Sequence, residues 1–321
     1  MSRTEKTAAE ENAVLDTGVH TDPAALQELT DAAERQHTEV GADGAVAGYR
    51  AGRTLRLGVE LRRQLRRRRT QFLLGFVALL PFILVVAFEI GDAQPNRRSG
   101  GFVDLATASA PNFVVLALFV SGTFLLPMIV ALFFGDTIAS ESSWSSLKYL
   151  LAIPVPRHRV LRQKAIVSAM LSAFALALLP LVALIVGVIW YGAGDAISPT
   201  GETVAFADSL LAMLLSVVYI VIQLAWVAGF ALLLSVVTDA PLGAVGGAVL
   251  VAIVSQILDQ ITALADLRNY LPTHYSFAWM DLISTDIDWS NMASGALSSV
   301  LFGTAFTLLA ARRFATKDIT S

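Results

Sequence analysis

Six stretches of roughly 20 predominantly apolar residues punctuate this chain, each long enough to carry a helix across about 30 Å of hydrocarbon. They run over about 72–90, 112–134, 165–191, 210–237, 243–261 and 292–311. Hydrocarbon offers no water to backbone N–H and C=O groups, so stretches of this length satisfy themselves as helices. The pattern predicts an all-α polytopic membrane protein with six transmembrane helices. Only 15% of its residues are charged, against about 25% in a soluble domain. It contains no cysteine, which excludes disulfide frameworks, thiolate zinc sites and thiol nucleophiles. A net charge of −3 and a pI near 5.8 argue against a nucleic-acid partner.

Charge is segregated along the chain, and that sets an expected orientation. Nine arginines lie between Arg50 and Arg69. Lys148, Arg157, Arg159, Arg162 and Lys164 lie between the second and third spans, and Arg312, Arg313 and Lys317 follow the sixth. The opposite loops carry only Arg97, Arg98 and Arg268, among many acids. Basic residues concentrate on the cytoplasmic side of membrane proteins, so both termini are expected there. Residues 1–49 hold ten acids, three bases and one aromatic. They are expected to be a mostly disordered cytoplasmic tail, not a cleaved export signal. Asp22-Pro23 suits the start of a short helix through Glu39. Residues 50–71 read as a basic amphipathic connecting helix, with Leu57, Leu61 and Leu65 on one side and arginines on the other, suited to membrane lipid headgroups. The membrane domain is then 72–311, with an outer segment at 263–290 and a short cytoplasmic tail at 312–321.

Much chemistry is missing. Ionisable residues at membrane depth are scarce: Glu89 and Asp259 lie near span ends, and Gln223 and Gln256 do not titrate. This disfavours an ion channel or a proton-coupled carrier. There is no zinc-protease or nucleophile-elbow motif; His158 and His274 read as solvated loop residues. No Gly-Lys dipeptide occurs, so the chain has no phosphate loop of its own. Pro81, Pro127 and Pro180 sit at similar depth in the first three spans, as hinges or as static kinks repaired by neighbours. Gly243 and Gly247 offer a small-residue face for close helix packing.

The segment "GDTIASESSWSSLKYLLAIPVPRHRVLRQK", residues 135–164, is the most informative. Trp144, Leu147, Leu150 and Leu151 recur at helical spacing. Glu141 and Ser142 stand where a helix start favours them, and Pro154 and Pro156 stop it. Such a short apolar-faced helix either lies in the interface or plugs into a groove on a partner. The segment resembles the signature of ABC transporter permeases of the type-two exporter class. The matching residues are Asp136, Glu141, Leu150, Leu151, Pro154, Val155, Arg157 and Lys164. Trp144-Ser145-Ser146 stands in place of a Gly-Thr-like turn.

The resemblance implies a transmembrane permease subunit in the plasma (inner) membrane, paired with a second copy or a paralogue. A separate ABC ATP-binding subunit would bind ATP and Mg, so this chain would carry no cofactor, metal or catalytic residue. Within loop 136–164, Glu141, Trp144, Leu147, Lys148, Leu150, Leu151 and Arg157 would form the coupling interface with that subunit. Asp136, Pro154 and Lys164 would mark the span ends. Tyr270, Tyr275, Trp279 and Trp289 suit the outer membrane interface. Spans without buried charge point to a lipid-like, hydrophobic or peptide cargo. The alternative is a non-transporting scaffold or sensor that recruits a partner through its N-terminal tail.

Overall fold

A computed structural model of the 321-residue chain describes residues 27, 28, 31, 56–92, 102–143, 156–198, 201–284 and 287–317. The chain divides into two units, residues 1–50 with 154–156, and 51–153 with 157–321. In the first, Gln27, Glu28 and Asp31 are helical and exposed. The rest of the tail lies outside the described residues, and so does its expected disorder.

The second unit is a helical bundle. A nine-residue helix α1 (Leu57–Leu65) precedes α2 (Arg68–Asp92). The second span is divided into α4 (Ala110–Gly122) and α5 (Leu125–Ser143), after a short α3 (Phe102–Ala106). Span three is α6 (Arg157–Tyr191). Span four is α7 (Phe206–Gln223) and α8 (Ala225–Val237), span five is α9 (Pro241–Asp259), and span six is α10 (Trp289–Thr316). Six of these helical stretches are long and apolar enough to cross a membrane, as the hydropathy predicts. The protein is a multi-pass membrane protein.

α5 is the centre of the bundle. Its membrane window is 78% buried, against 22% for those of α2, α9 and α10. It packs against α6, α8 and α9. The helices overrun the apolar stretches at the end rich in basic residues: α5 continues past Phe134 to Ser143, and α6 begins at Arg157. Apolarity ends with the hydrocarbon, but the backbone ladder continues as long as neighbours hold it.

The kink in span two has a specific cause. Pro127 has no N–H, so the carbonyl four residues back, that of Thr123, loses its helical donor. Gln256 of α9 donates its Nε2 to that carbonyl at 2.8 Å. This is the static kink repaired by a neighbour, with Pro127 in the first turn of α5, where proline is tolerated. Pro81 and Pro180 lie inside α2 and α6.

The closest helix crossing is not where Gly243 and Gly247 predict it. The buried face of α9 is Ala244, Ala248, Ala252 and Ser255, and Gly243 meets nothing beyond its own turn. The tight crossing is Gly229 of α8 on Gly303 of α10. A Cβ on Gly303 would lie 2.6 Å from the Ala225 carbonyl oxygen, which explains why neither position carries a side chain.

The opposite, acidic end of the bundle is covered by irregular structure. A two-residue hairpin pairs Ala196 with Val204 and Ile197 with Thr203. Asn112 clasps it by donating to the Ile197 carbonyl (2.7 Å) and accepting from the Ile197 N–H (2.8 Å). Two 3-10 segments, Thr262–Tyr270 and Ala278–Ile283, link α9 to α10. They are tied down by Tyr219 donating to the Tyr275 carbonyl (2.7 Å) and Gln223 to the Pro272 carbonyl (2.6 Å). Two aromatic and histidine expectations change here. Trp279 is 1% exposed and belongs to the core. His274 is not a free solvated residue: its Nδ1 lies 2.5 Å from Asp259 Oδ1.

Candidate functional site

The basic end is where α1, α5 and α6 converge, and three of the residues singled out from sequence meet there. Lys164, 4% exposed in the third turn of α6, donates to Glu141 Oε1 at 2.6 Å. Glu141 is also 4% exposed and accepts from Arg63 of α1 at 3.2 Å. Glu60 completes the cluster, accepting from Lys164 (3.4 Å), Arg63 (3.3 Å) and Gln64 (3.1 Å). One buried lysine thus bridges two carboxylates on two different helices. Burying an unpaired charge costs several kcal/mol, so each member holds the others in place. Burial pushes the Glu60 carboxyl up, but Lys164, Arg63 and the Gln64 hydrogen bond outweigh it and hold it below 4.5.

Asp136 makes a second clamp nearer the membrane. Its two oxygens accept from Arg67 (3.0 Å) and Arg69 (2.6 Å) at the junction of α1 and α2. Below it, the hydroxyls of Thr137 and Ser168 lie 2.7 Å apart, and both donate to the Phe133 carbonyl, at 2.6 and 2.9 Å. On the other side, Ser235 of α8 accepts from the backbone N–H groups of Ile138 and Ala139 (2.9 and 3.0 Å). The last two turns of α5 are therefore fixed to α1, α6 and α8 by polar bonds in addition to the apolar packing of Ile138 and Ala139.

Glu141 lies in the last turn of α5, facing inward, and the helix expected to follow it lies outside the described residues. The α1 leucines face away from the bundle. Leu57 and Leu65 are exposed, at 43% and 37%, Leu61 is half-buried, and the buried residue is Glu60. The ion cluster attracts the polar face of α1 inward, which turns its apolar stripe outward.

Arg157 serves a third junction. Its guanidinium donates to the carbonyls of Ala315 and Lys317 (3.1 and 2.9 Å), closing the end of α10. Lys317 in turn reaches the Val236 carbonyl (2.9 Å) and Asp239 (2.8 Å) in the α8–α9 turn. The Lys317 hydrogen bond is the main reason the exposed Asp239 carboxyl lies below its usual range. Trp144, Leu147, Lys148, Leu150, Leu151 and Pro154 lie outside the described residues. Sequence reading missed Glu60, Arg63, Arg67 and Arg69 as individual partners, because a run of arginines before a span is already explained by orientation. Glu60, a lone acid among them, was the available signal. Among the described residues, no group of three His, Asp or Glu side chains could hold a metal ion.

The profile described as ABC-2 family transporter protein matches residues 62–255, from α1 to α9. The chain belongs to the ABC-2 transporter family. As a member it is a membrane permease component of an ABC transporter, in a family that generally works with an ATP-binding subunit. The match includes both carboxylate clamps except Glu60, and leaves out α10. A search of curated proteins found no match.

Proposed function

We propose that this chain is the permease subunit of an ATP-driven exporter in the plasma membrane. Two copies, or this chain and a paralogue, form the pathway above two ATP-binding subunits, which bind ATP and Mg. The basic end faces the cytoplasm, consistent with its excess of lysine and arginine. The segment from 144 to 151 is the coupling helix, and Trp144 and Leu147 are its apolar anchors, the kind of residue that dominates interface energy. Lys148, Leu150 and Leu151 complete that surface.

One observation supports this reading above the rest: the Lys164–Glu141–Glu60–Arg63 cluster, whose lysine and two carboxylates are buried. It ties the end of α5, the start of α6 and α1 into one unit. A push delivered to the connection between α5 and α6 moves spans two and three with the connecting helix, instead of being lost in a flexible joint. In this reading Glu141 and Lys164 transmit force rather than touch the partner, and Asp136 braces the same helix from α2.

The test is a mild-detergent pull-down of tagged protein from its native membrane, with mass spectrometry and an ATPase assay. The expected result is a stoichiometric ATP-binding subunit, lost from the Trp144→Asp/Leu147→Asp variant while membrane insertion is kept. A double variant that still supports transport would overturn the coupling assignment. A clean pull-down without any ATPase would overturn the transporter reading.

A further inference from the structure

A cavity of about 600 Å³ lies between α6, α8 and α10. It begins at His158, Arg162 and Ala311 at the basic end and reaches Leu176, Val221 and Val300. Along α6, Arg162 to Leu176 is about 21 Å at 1.5 Å per residue, well over half of the roughly 30 Å hydrocarbon. The body of the cavity is apolar, and its α6 wall includes the small residues Ala165, Ala169 and Ala173 beside Leu161, Ile166 and Leu176.

The charges at the mouth are arranged unevenly. Arg157 is consumed by the α10 carbonyls, and Lys164 by Glu141 and Glu60. Arg162 is exposed and has no carboxylate partner among the described residues, and exposed His158 stands one turn away. A free cation at headgroup level above a narrow apolar slot complements one ligand shape: an anionic head on a long apolar chain. We propose that this cavity binds an anionic phospholipid from the leaflet at the basic end, with its phosphate on Arg162 and one acyl chain between α6 and α10. The inference does not depend on transport, since occupancy is read without ATP or a partner subunit.

The test uses the full chain in nanodiscs of equal parts phosphatidylcholine and phosphatidylglycerol with the same acyl chains. The buffer is at about pH 8. Native mass spectrometry after release reads the retained lipid. Wild type should retain phosphatidylglycerol about fivefold over phosphatidylcholine, the effect of one basic residue near an anionic headgroup. Arg162→Ala should abolish that preference and Arg162→Lys should keep it. Ala169→Trp, which fills the slot, should lose both lipids. Thermal unfolding of each variant checks that the fold is intact. Three outcomes would overturn the proposal. One is headgroup-independent retention by wild type. Another is reduced retention by Ser172→Ala, whose buried hydroxyl lines the deep wall without a hydrogen-bond partner among the described residues and would mark a polar ligand there. The third is an intermolecular disulfide in Ala169→Cys, which is diagnostic in a chain with no other cysteine and would show that a second copy covers the cavity.

Discussion

Lys164 carries more of this protein's local stability than any exposed basic residue, because it neutralises Glu141 and Glu60 at once. Removing one partner of a buried ion pair typically costs 3–5 kcal/mol, since the remaining charge stays buried, whereas replacing the whole group by apolar residues is often neutral. Lys164→Ala should therefore lower the detergent unfolding temperature sharply. A combined Lys164→Met/Glu141→Leu/Glu60→Leu variant should recover most of the loss. By contrast, Arg69→Ala removes a half-exposed partner of Asp136, which keeps Arg67, and should cost about 1 kcal/mol or less. The cluster also predicts a pH response. The Glu60 carboxyl is held below the usual carboxylate range in the folded protein, so its stabilisation is complete above that range. It is lost as pH falls through the lowered folded pKa. Hydrogen exchange of the α1 amides should accelerate in that acid window before the amides of α5 do, and Glu60→Gln should remove the transition.

At the scale of elements, the kink in span two is a joint between α4, α5 and α9. Proline removes a donor and a glutamine on another helix supplies one. Gln256→Leu should cost about 1 kcal/mol, the usual value of one such hydrogen bond. Adding Pro127→Ala returns the helical N–H to the Thr123 carbonyl, so the double variant should be more stable than Gln256→Leu alone. Purely additive losses in that cycle would refute the account. The α8–α10 crossing makes the opposite kind of prediction. Gly303→Ala places a methyl against the Ala225 backbone at 2.6 Å, where no flexible side chain can yield. Overpacking of this sort costs about 1–3 kcal/mol. Gly246→Ala, in open space on α9, should be neutral or slightly stabilising.

For the whole molecule, the basic and acidic ends define a direction across the membrane. Single-cysteine variants are clean probes because the chain has no cysteine. Asp266→Cys, in the segment between α9 and α10, should react with a membrane-impermeant maleimide in intact cells. Arg313→Cys, in the last turn of α10, should react only after permeabilisation. The reverse pattern would invert the proposed orientation and, with it, the assignment of the 144–151 segment to a cytoplasmic partner.

The number of spans and the permease resemblance were legible in the sequence, because each rests on local chemistry. An apolar run of sufficient length has one solution in lipid, and Asp136, Glu141 and Lys164 sit at recognisable positions around one loop. What those three residues do was not legible. Lys164 reads from sequence as one more basic residue, and Glu60 as a lone acid among arginines. Which arginine faces which carboxylate depends on helix rotation and on contacts more than sixty residues apart, which no local pattern encodes. Tertiary packing likewise hid the Gln256–Thr123 repair, the Gly229–Gly303 crossing, the burial of Trp279 and the pairing of His274 with Asp259. The sequence decided that these segments are helices in a membrane, through the cost of unsatisfied backbone in hydrocarbon. The tertiary structure alone decided which polar side chains would be buried, because only packing brings each of them a partner.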